Sequence, residues 1–256
     1  MCLMKLSLSN GLFSKLGIKE NFAAVKELGF KNIEFNMKSV KKEHDTDVYR
    51  EQKAFEASGL NCLTLHSAVM HVKDPIEVHQ AVYYGKISLE CARALKAPLM
   101  VVHSNASKKL SKPVRRECLE AVFGEIVPFA TKFGIKLALE NLSYTSTGFG
   151  KNVEQIEEVL DVIDPKREMG FTLDFCHALE TKEAKLLLKK YHSVLCNIHM
   201  ANKSHRPFLE ETPELKWLIT ELKEYGYTGP ITLELHHATT RDEIVQTKRF
   251  FDNLLT

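Results

Sequence analysis

Short apolar runs in this sequence repeatedly end on a carboxylate or an imidazole. The run NIEF holds Glu34, LTLH ends on His66, MVVH on His103 and LALEN brings Glu140. Further along, FTLDFCH holds Asp174 and His177, CNIH ends on His199 and ITLEL brings Glu234. Ionisable groups at the ends of buried segments are costly unless paired or bound to a metal. Imidazole and oxygen donors together suit Mn, Zn, Co or Fe, and a site without thiolates is not a structural zinc site. One such residue has a bland explanation, as a satisfied half-buried side chain. The same coincidence on six consecutive runs does not. Glu34 is set apart as a carboxylate that braces the interior through a salt bridge. Cys176 and Cys196 read as packing thiols. His236 and His237 follow Glu234 closely, with nothing to fix their direction. His44, His71, His79 and His192 fall in helices or loops without patterned partners and read as solvated.

The elements that must position these groups follow from periodicity. The short runs are Leu3–Leu8, Asn32–Phe35, Cys62–Leu65, Leu99–Val102, Ile135–Leu139, Gly170–Leu173, Val194–Ile198 and Ile231–Leu233. Between them lie stretches such as NFAAVKELGF, RECLEAVFGEIVPFATKFG and ELKWLITELKEYG, whose apolar residues recur at three- and four-residue steps. That is the spacing of one buried helix face. Gly29, Gly59, Gly134 and Gly226 stand where helices should stop, and Pro165 and Pro230 mark two more helix-to-strand joins. Eight strand–helix units share 256 residues, about 32 each, which is the size of a βα repeat. Strict alternation implies a parallel sheet, and no GxGxxG follows the first strand to suggest an open, doubly wound one. The expected fold is a single (β/α)8 barrel domain over residues 1–256. In such a barrel the strand C-termini converge on the mouth, where active sites are built.

Composition removes other classes. Hydrophobic residues make up 44% and charged residues 27%, which excludes a disordered or collagen-like chain. Lys+Arg 35 against Asp+Glu 33 gives +2, so no overall polyanion-binding surface is expected. The six cysteines form no CxxC pair, as reduced cytoplasmic thiols would not. No stretch approaches the ~18 uninterrupted apolar residues of a membrane span, and MCLMKLSLSNGLFSKLG lacks the charged region, apolar core and cleavage site of a signal peptide, so neither is expected. The expected location is the cytoplasm.

The order His66, His103, Glu140-Asn141, Leu173-Asp174-x-Cys-His177, His199 and Glu234 resembles the xylose-isomerase-like barrel superfamily, from about Lys5 to about Phe251. That group includes sugar isomerases and epimerases and the DNA-repair enzyme endonuclease IV. In sugar-processing members, the resemblance implies one divalent metal (Mn, Zn, Co or Mg) on Glu140, Asp174, His199 and Glu234. Glu140 and Glu234 would move the proton beside a sugar carbonyl through an enediolate, while His66, His103, His177 and His205 would bind substrate. The implied partner is a small sugar or sugar phosphate rather than nucleic acid, with a homo-oligomer allowed.

The endonuclease pattern implies two further zinc ions, one on His66, His103 and Glu140, the other on His177, His205 and a nearby aspartate. Lys203 occupies that aspartate's place, and a protonated lysine binds no metal. The DNA-inserting aromatic is also missing, since Ser67-Ala68-Val69-Met70 follows His66. Ketose 3-epimerases carry another glutamate six residues after the strand-five ligand, where this chain has Ser146. The 144–150 segment YTSTGFG reads as a flexible loop over the mouth, its Tyr144 and Phe149 either covering a substrate or merely exposed.

Overall fold

A computed structural model describes residues 4–39, 47–104 and 106–255. Eight parallel strands close on themselves in chain order, with β8 hydrogen-bonded to β1. They are β1 (Lys5–Ser9), β2 (Asn32–Asn36), β3 (Asn61–His66), β4 (Leu99–Val102), β5 (Lys136–Glu140), β6 (Gly170–Asp174), β7 (Leu195–Met200) and β8 (Pro230–Leu233). The expected closed α/β barrel is the observed one. His44 and Cys2 lie outside the described residues.

The outer layer is α1 (Ile18–Glu27), α2 (Val48–Ser58), α3 (Val78–Ala94), α4 (Lys112–Phe133), α5 (Val153–Ile163), α6 (Phe175–Thr181), α7 (Ala184–Tyr191), α8 (Pro213–Glu224) and α9 (Arg241–Leu254). Local chemistry sets their ends. Asp47, Asn152, Thr212 and Thr240 each accept a backbone N–H of the first turn, and Thr240 with Glu243 forms a reciprocal capping box. At the other end, Gly59 and Gly134 close α2 and α4 in the left-handed conformation that a Cβ disfavours. No helix among the described residues is long and apolar enough to cross a membrane.

Glycine also permits close approach inside the layer. A Cβ at Gly85 on α3 would lie 2.8 Å from Met70 Sδ and closer still to Ile126 Cδ1 on α4, both fully buried. Gly85→Ala should therefore cost about 1–3 kcal/mol through overpacking. Thermal unfolding should fall by roughly 2–4 °C per kcal/mol. An unshifted melting temperature would show that the α3–α4 seam relaxes freely.

Strand side chains alternate, so residues two apart share the barrel interior. The mouth layer is His66, Glu140, Asp174 and His199, with His103 and Glu234 just beyond β4 and β8. One step deeper lie Ser7, Glu34, Thr64, Thr172, Asn197 and Thr232, all completely buried. Glu34 therefore does not end its strand. A register shift between Ile33 and Glu34 carries β2 on to Asn36, which pairs with His66, and leaves Glu34 beside Thr64 in the lower layer.

Candidate metal centre

Glu140, Asp174, His199 and Glu234 bring one donor atom each within 4.8 Å of one another. His199 Nδ1 lies 3.2 Å from Glu140 Oε1, 3.1 Å from Glu234 Oε2 and 3.9 Å from Asp174 Oδ2. Its other ring nitrogen, Nε2, donates to Glu34 Oε2 at 2.9 Å, and Thr64 Oγ1 donates to the same oxygen at 2.9 Å. With Nε2 donating to Glu34, it is Nδ1 that faces the three carboxylates, as an acceptor whenever the ring is neutral. Neither His199 Nδ1 nor Asp174 Oδ2 has a hydrogen-bond partner, although both are buried. Acceptors facing acceptors in a dry site need a proton or a cation between them. A divalent cation fits this donor set of three oxygens and one nitrogen.

Two more groups adjoin the first. His66 Nε2 and His103 Nε2 approach Glu140 Oε2 at 3.3 and 3.1 Å, so the two oxygens of Glu140 face two different clusters. His66 Nδ1 donates to Ser67 O at 3.1 Å, which again leaves the inner nitrogen as an acceptor. In the third group, His177 Nδ1 donates to Asn141 O and His205 Nδ1 to Glu234 O. Their Nε2 atoms then face each other at 3.2 Å beside Asp174. Anchoring the far nitrogen on an oxygen is how metal-binding histidines are oriented. His205 is held there by strained backbone, with φ of 59° at Ser204 and 52° at His205. Such strain clusters at functional positions. Lys203 is exposed and brings no carboxylate to this group.

Helix α6 was not expected from the sequence, where FTLDFCH reads as a strand end alone. Asp174 closes β6 and also caps α6, its Oδ1 accepting His177 N at 2.7 Å. The aspartate three residues before His177 is the signal that could have revealed it. Asn141 has a structural role that the sequence alone does not show. Its amide donates to Asp174 O at 3.0 Å and accepts Asp174 N at 2.9 Å, tying β5 to β6 beneath Glu140 and Asp174.

The 144–150 segment is pinned rather than loose. Phe149 N donates to Ala106 O at 2.9 Å, Ser104 Oγ donates to Phe149 O, and the Arg115 guanidinium sits 3.7 Å over the Phe149 ring. Tyr144 is 72% exposed, with Lys151 Nζ 5.8 Å from its ring. His71 is half-buried within 3.5 Å of Thr147 Oγ1 and so is not simply solvated; His79 and His192 are exposed, the latter stacked on Tyr225. Cys176 is buried, its thiol pushed up to about 12 by burial, and joins none of the three groups; neither does Cys196. His236 and His237 do line the mouth. With Glu234 and His205 they border a cleft of about 560 Å³ that also reaches the loops after β1 and β2.

The family model for the xylose isomerase-like TIM barrel matches residues 22–254. The chain belongs to the xylose isomerase-like TIM barrel family. A probable endonuclease 4 of Halothermothrix orenii is 25% identical over 146 residues, 54% of this chain. The chain spans about half the length of the curated relatives it matches, 57% and 51% in two cases. Among solved structures of this barrel type, a D-tagatose 3-epimerase-like protein has a TM-score of 0.79 at 20% identity, covering 98% of this chain and 97% of its own. The IOLI protein, solved with a zinc atom, has a TM-score of 0.76 at 18% identity, covering 98% of each chain.

Electrostatics in this family member tie metal binding to pH. Burial alone would lower the His199 pKa, but Glu34, Glu140 and Glu234 raise it well above its usual value. Burial lifts the Asp174 carboxyl to about 6. The metal-free protein thus holds protons on both groups in mild acid, and a cation must displace them. Metal affinity should rise from pH 6 to pH 8, with protons released on binding. Competition against a chelator at both pH values checks this; equal affinities would contradict it.

Glu34 acts on the same group from below. Glu34→Gln keeps the shape but removes the charge that orients His199, so metal affinity should fall about tenfold to a hundredfold. An unchanged dissociation constant would mean that His199 needs no such partner.

Proposed function

We propose that the protein is a divalent-metal-dependent isomerase or epimerase of a sugar, polyol or sugar phosphate, acting through an enediolate. The observation that carries this reading is the pairing of Glu140 and Glu234 on one atom, His199 Nδ1, beside a cleft roomy enough to admit a sugar. When bound there, a Mn, Zn, Co or Mg ion would polarise a carbonyl and its neighbouring hydroxyl as a Lewis acid. Glu234, which borders the cleft, takes the proton beside the carbonyl. Glu140, three strands away, returns it from the other side. His177 and His205 hold substrate hydroxyls at the cleft end, and His66 and His103 hold Glu140 in place. The work is assigned to one barrel domain over residues 1–256 in the cytoplasm, as a monomer or homo-oligomer.

A second reading has its own support. The His66–His103–Glu140 and Asp174–His177–His205 groups could each take another cation, and Glu140 and Asp174 would bridge them to the first. Adjacent cations sharing carboxylates suit phosphodiester hydrolysis of the endonuclease IV kind. The near-balance of charge and the missing aromatic after His66 weigh against a DNA substrate.

One preparation tests both. Ketoses, aldoses and their phosphates are followed by proton NMR in heavy water, beside an abasic-site oligonucleotide. The isomerase reading expects deuterium at the carbon next to the carbonyl, lost in Glu234→Gln. Metal-dependent nicking that needs His66 and His103, with no sugar turnover, would overturn it.

A further inference from the structure

The cleft over Glu234 has a second pole, of opposite charge. Its wall includes Lys15 from the loop after β1, Lys38 from the turn after β2, and His236 and His237 after β8. Among the described residues, Glu234 is the only carboxylate in this lining, and it is already drawn to His199. Among the described residues, neither Lys15 nor Lys38 is in an ion pair. Ser9 Oγ, on the same wall, is 2% exposed and has no hydrogen-bond partner.

The segments bearing the two lysines are built rather than loose. Buried Asn21 donates through Nδ2 to Asn10 O at 3.2 Å and to Phe13 O at 3.1 Å, which fixes the turn leading into Lys15. Asn10 Oδ1 accepts Asn36 N at 2.7 Å, and Asn36 Oδ1 accepts Lys38 N at 3.0 Å. Two ammonium groups on one cleft wall, with no ion-pair partner among the described residues, produce a local positive potential. A ligand that meets a metal-binding carboxylate at one end and these groups at the other is an anion at its far end. Lysine acts as a point charge towards phosphate, and the buried hydroxyl of Ser9 supplies a donor.

We propose that the substrate is a sugar phosphate, its phosphate monoester held by Lys15 and Lys38 and its carbonyl end at Glu234. The sugar part rests on the isomerase reading; the anion subsite does not. In the common barrel arrangement, phosphate lies by the loops after strands seven and eight, whereas these lysines follow β1 and β2.

The test measures binding to the metal-loaded protein by calorimetry, with D-ribulose, D-ribulose 5-phosphate and inorganic phosphate as probes. The phosphate ester should bind on the order of a hundredfold tighter than the free sugar, two lysine contacts at about tenfold each. Lys15→Gln and Lys38→Gln should each weaken the ester about tenfold with metal content unchanged, and the double variant should abolish the difference. Lys132→Gln, the same charge change on the outer helix α4, should leave affinity where it was. Inorganic phosphate should still bind after the metal is chelated, which separates the lysines from the metal centre. Equal affinity for ribulose and its phosphate, or an ester affinity indifferent to both lysines, would overturn the proposal. Lysine-dependent ester binding without proton exchange would uphold the subsite while removing the isomerase reading. Exchange that ignores the phosphate would do the reverse.

Discussion

Glu140→Gln should abolish turnover, by on the order of a thousandfold or more, and should disturb metal binding beyond its own cluster. The magnitude follows from two losses in one substitution. An amide cannot serve as the general base or acid, which is worth about 10²- to 10⁴-fold. It also removes the charge that Oε1 turns to His199 and that Oε2 turns to His66 and His103. Those three histidines, the Glu140 neighbours, then lose the anion that offsets their protonated forms. The variant should bind metal more weakly, and any second ion should be lost first. The expected result is read from turnover and from metal analysis on the same sample. Full metal content with full activity would remove Glu140 from the centre.

The second large effect is expected at Asp174, where the fold permits a clean substitution. Asp174 Oδ1 caps α6 by accepting His177 N, while Oδ2 faces His199 without a partner. Asn is as good a helix cap as Asp. Asp174→Asn should therefore keep the cap and the fold, yet remove one full charge from the donor set. Metal affinity should fall by more than the roughly 10- to 100-fold that an outer partner costs. Asp174→Ala should lose the cap as well, at about 1 kcal/mol of stability. A normal melting temperature with weakened metal binding in the Asn variant identifies the ligand role. Unchanged metal content would contradict it.

Much of this centre was legible in the sequence because parallel strands end together. Each of LTLH, MVVH, LALEN and CNIH places its polar residue at or next to a strand end, and the barrel brings those ends to one volume. Glycine stops helped, since Gly29, Gly59, Gly134 and Gly226 all adopt positive φ as expected. What escaped depends on register between distant segments. Glu34 and His199 are 165 positions apart, and only the closed barrel sets one beneath the other. Nothing local predicts the bulge at Ile33–Glu34 that lowers Glu34 by one layer. The pinning of Phe149 likewise needs Ala106 and Ser104 from the preceding βα loop. Helix α6 escaped because it begins with no connecting residue after β6, so its cap doubles as a strand end.

A divalent cation should be held where His199 Nδ1, Asp174 Oδ2, Glu140 and Glu234 converge. Crystals grown with Mn or Zn, with data collected on either side of the metal's absorption edge, address this directly. An anomalous peak is predicted within coordinating distance of all four side chains, at roughly 2.0–2.2 Å from the His199 nitrogen and the nearest carboxylate oxygens. A protein that takes up the metal yet shows no peak at these four residues, or shows peaks only elsewhere, would contradict the assignment.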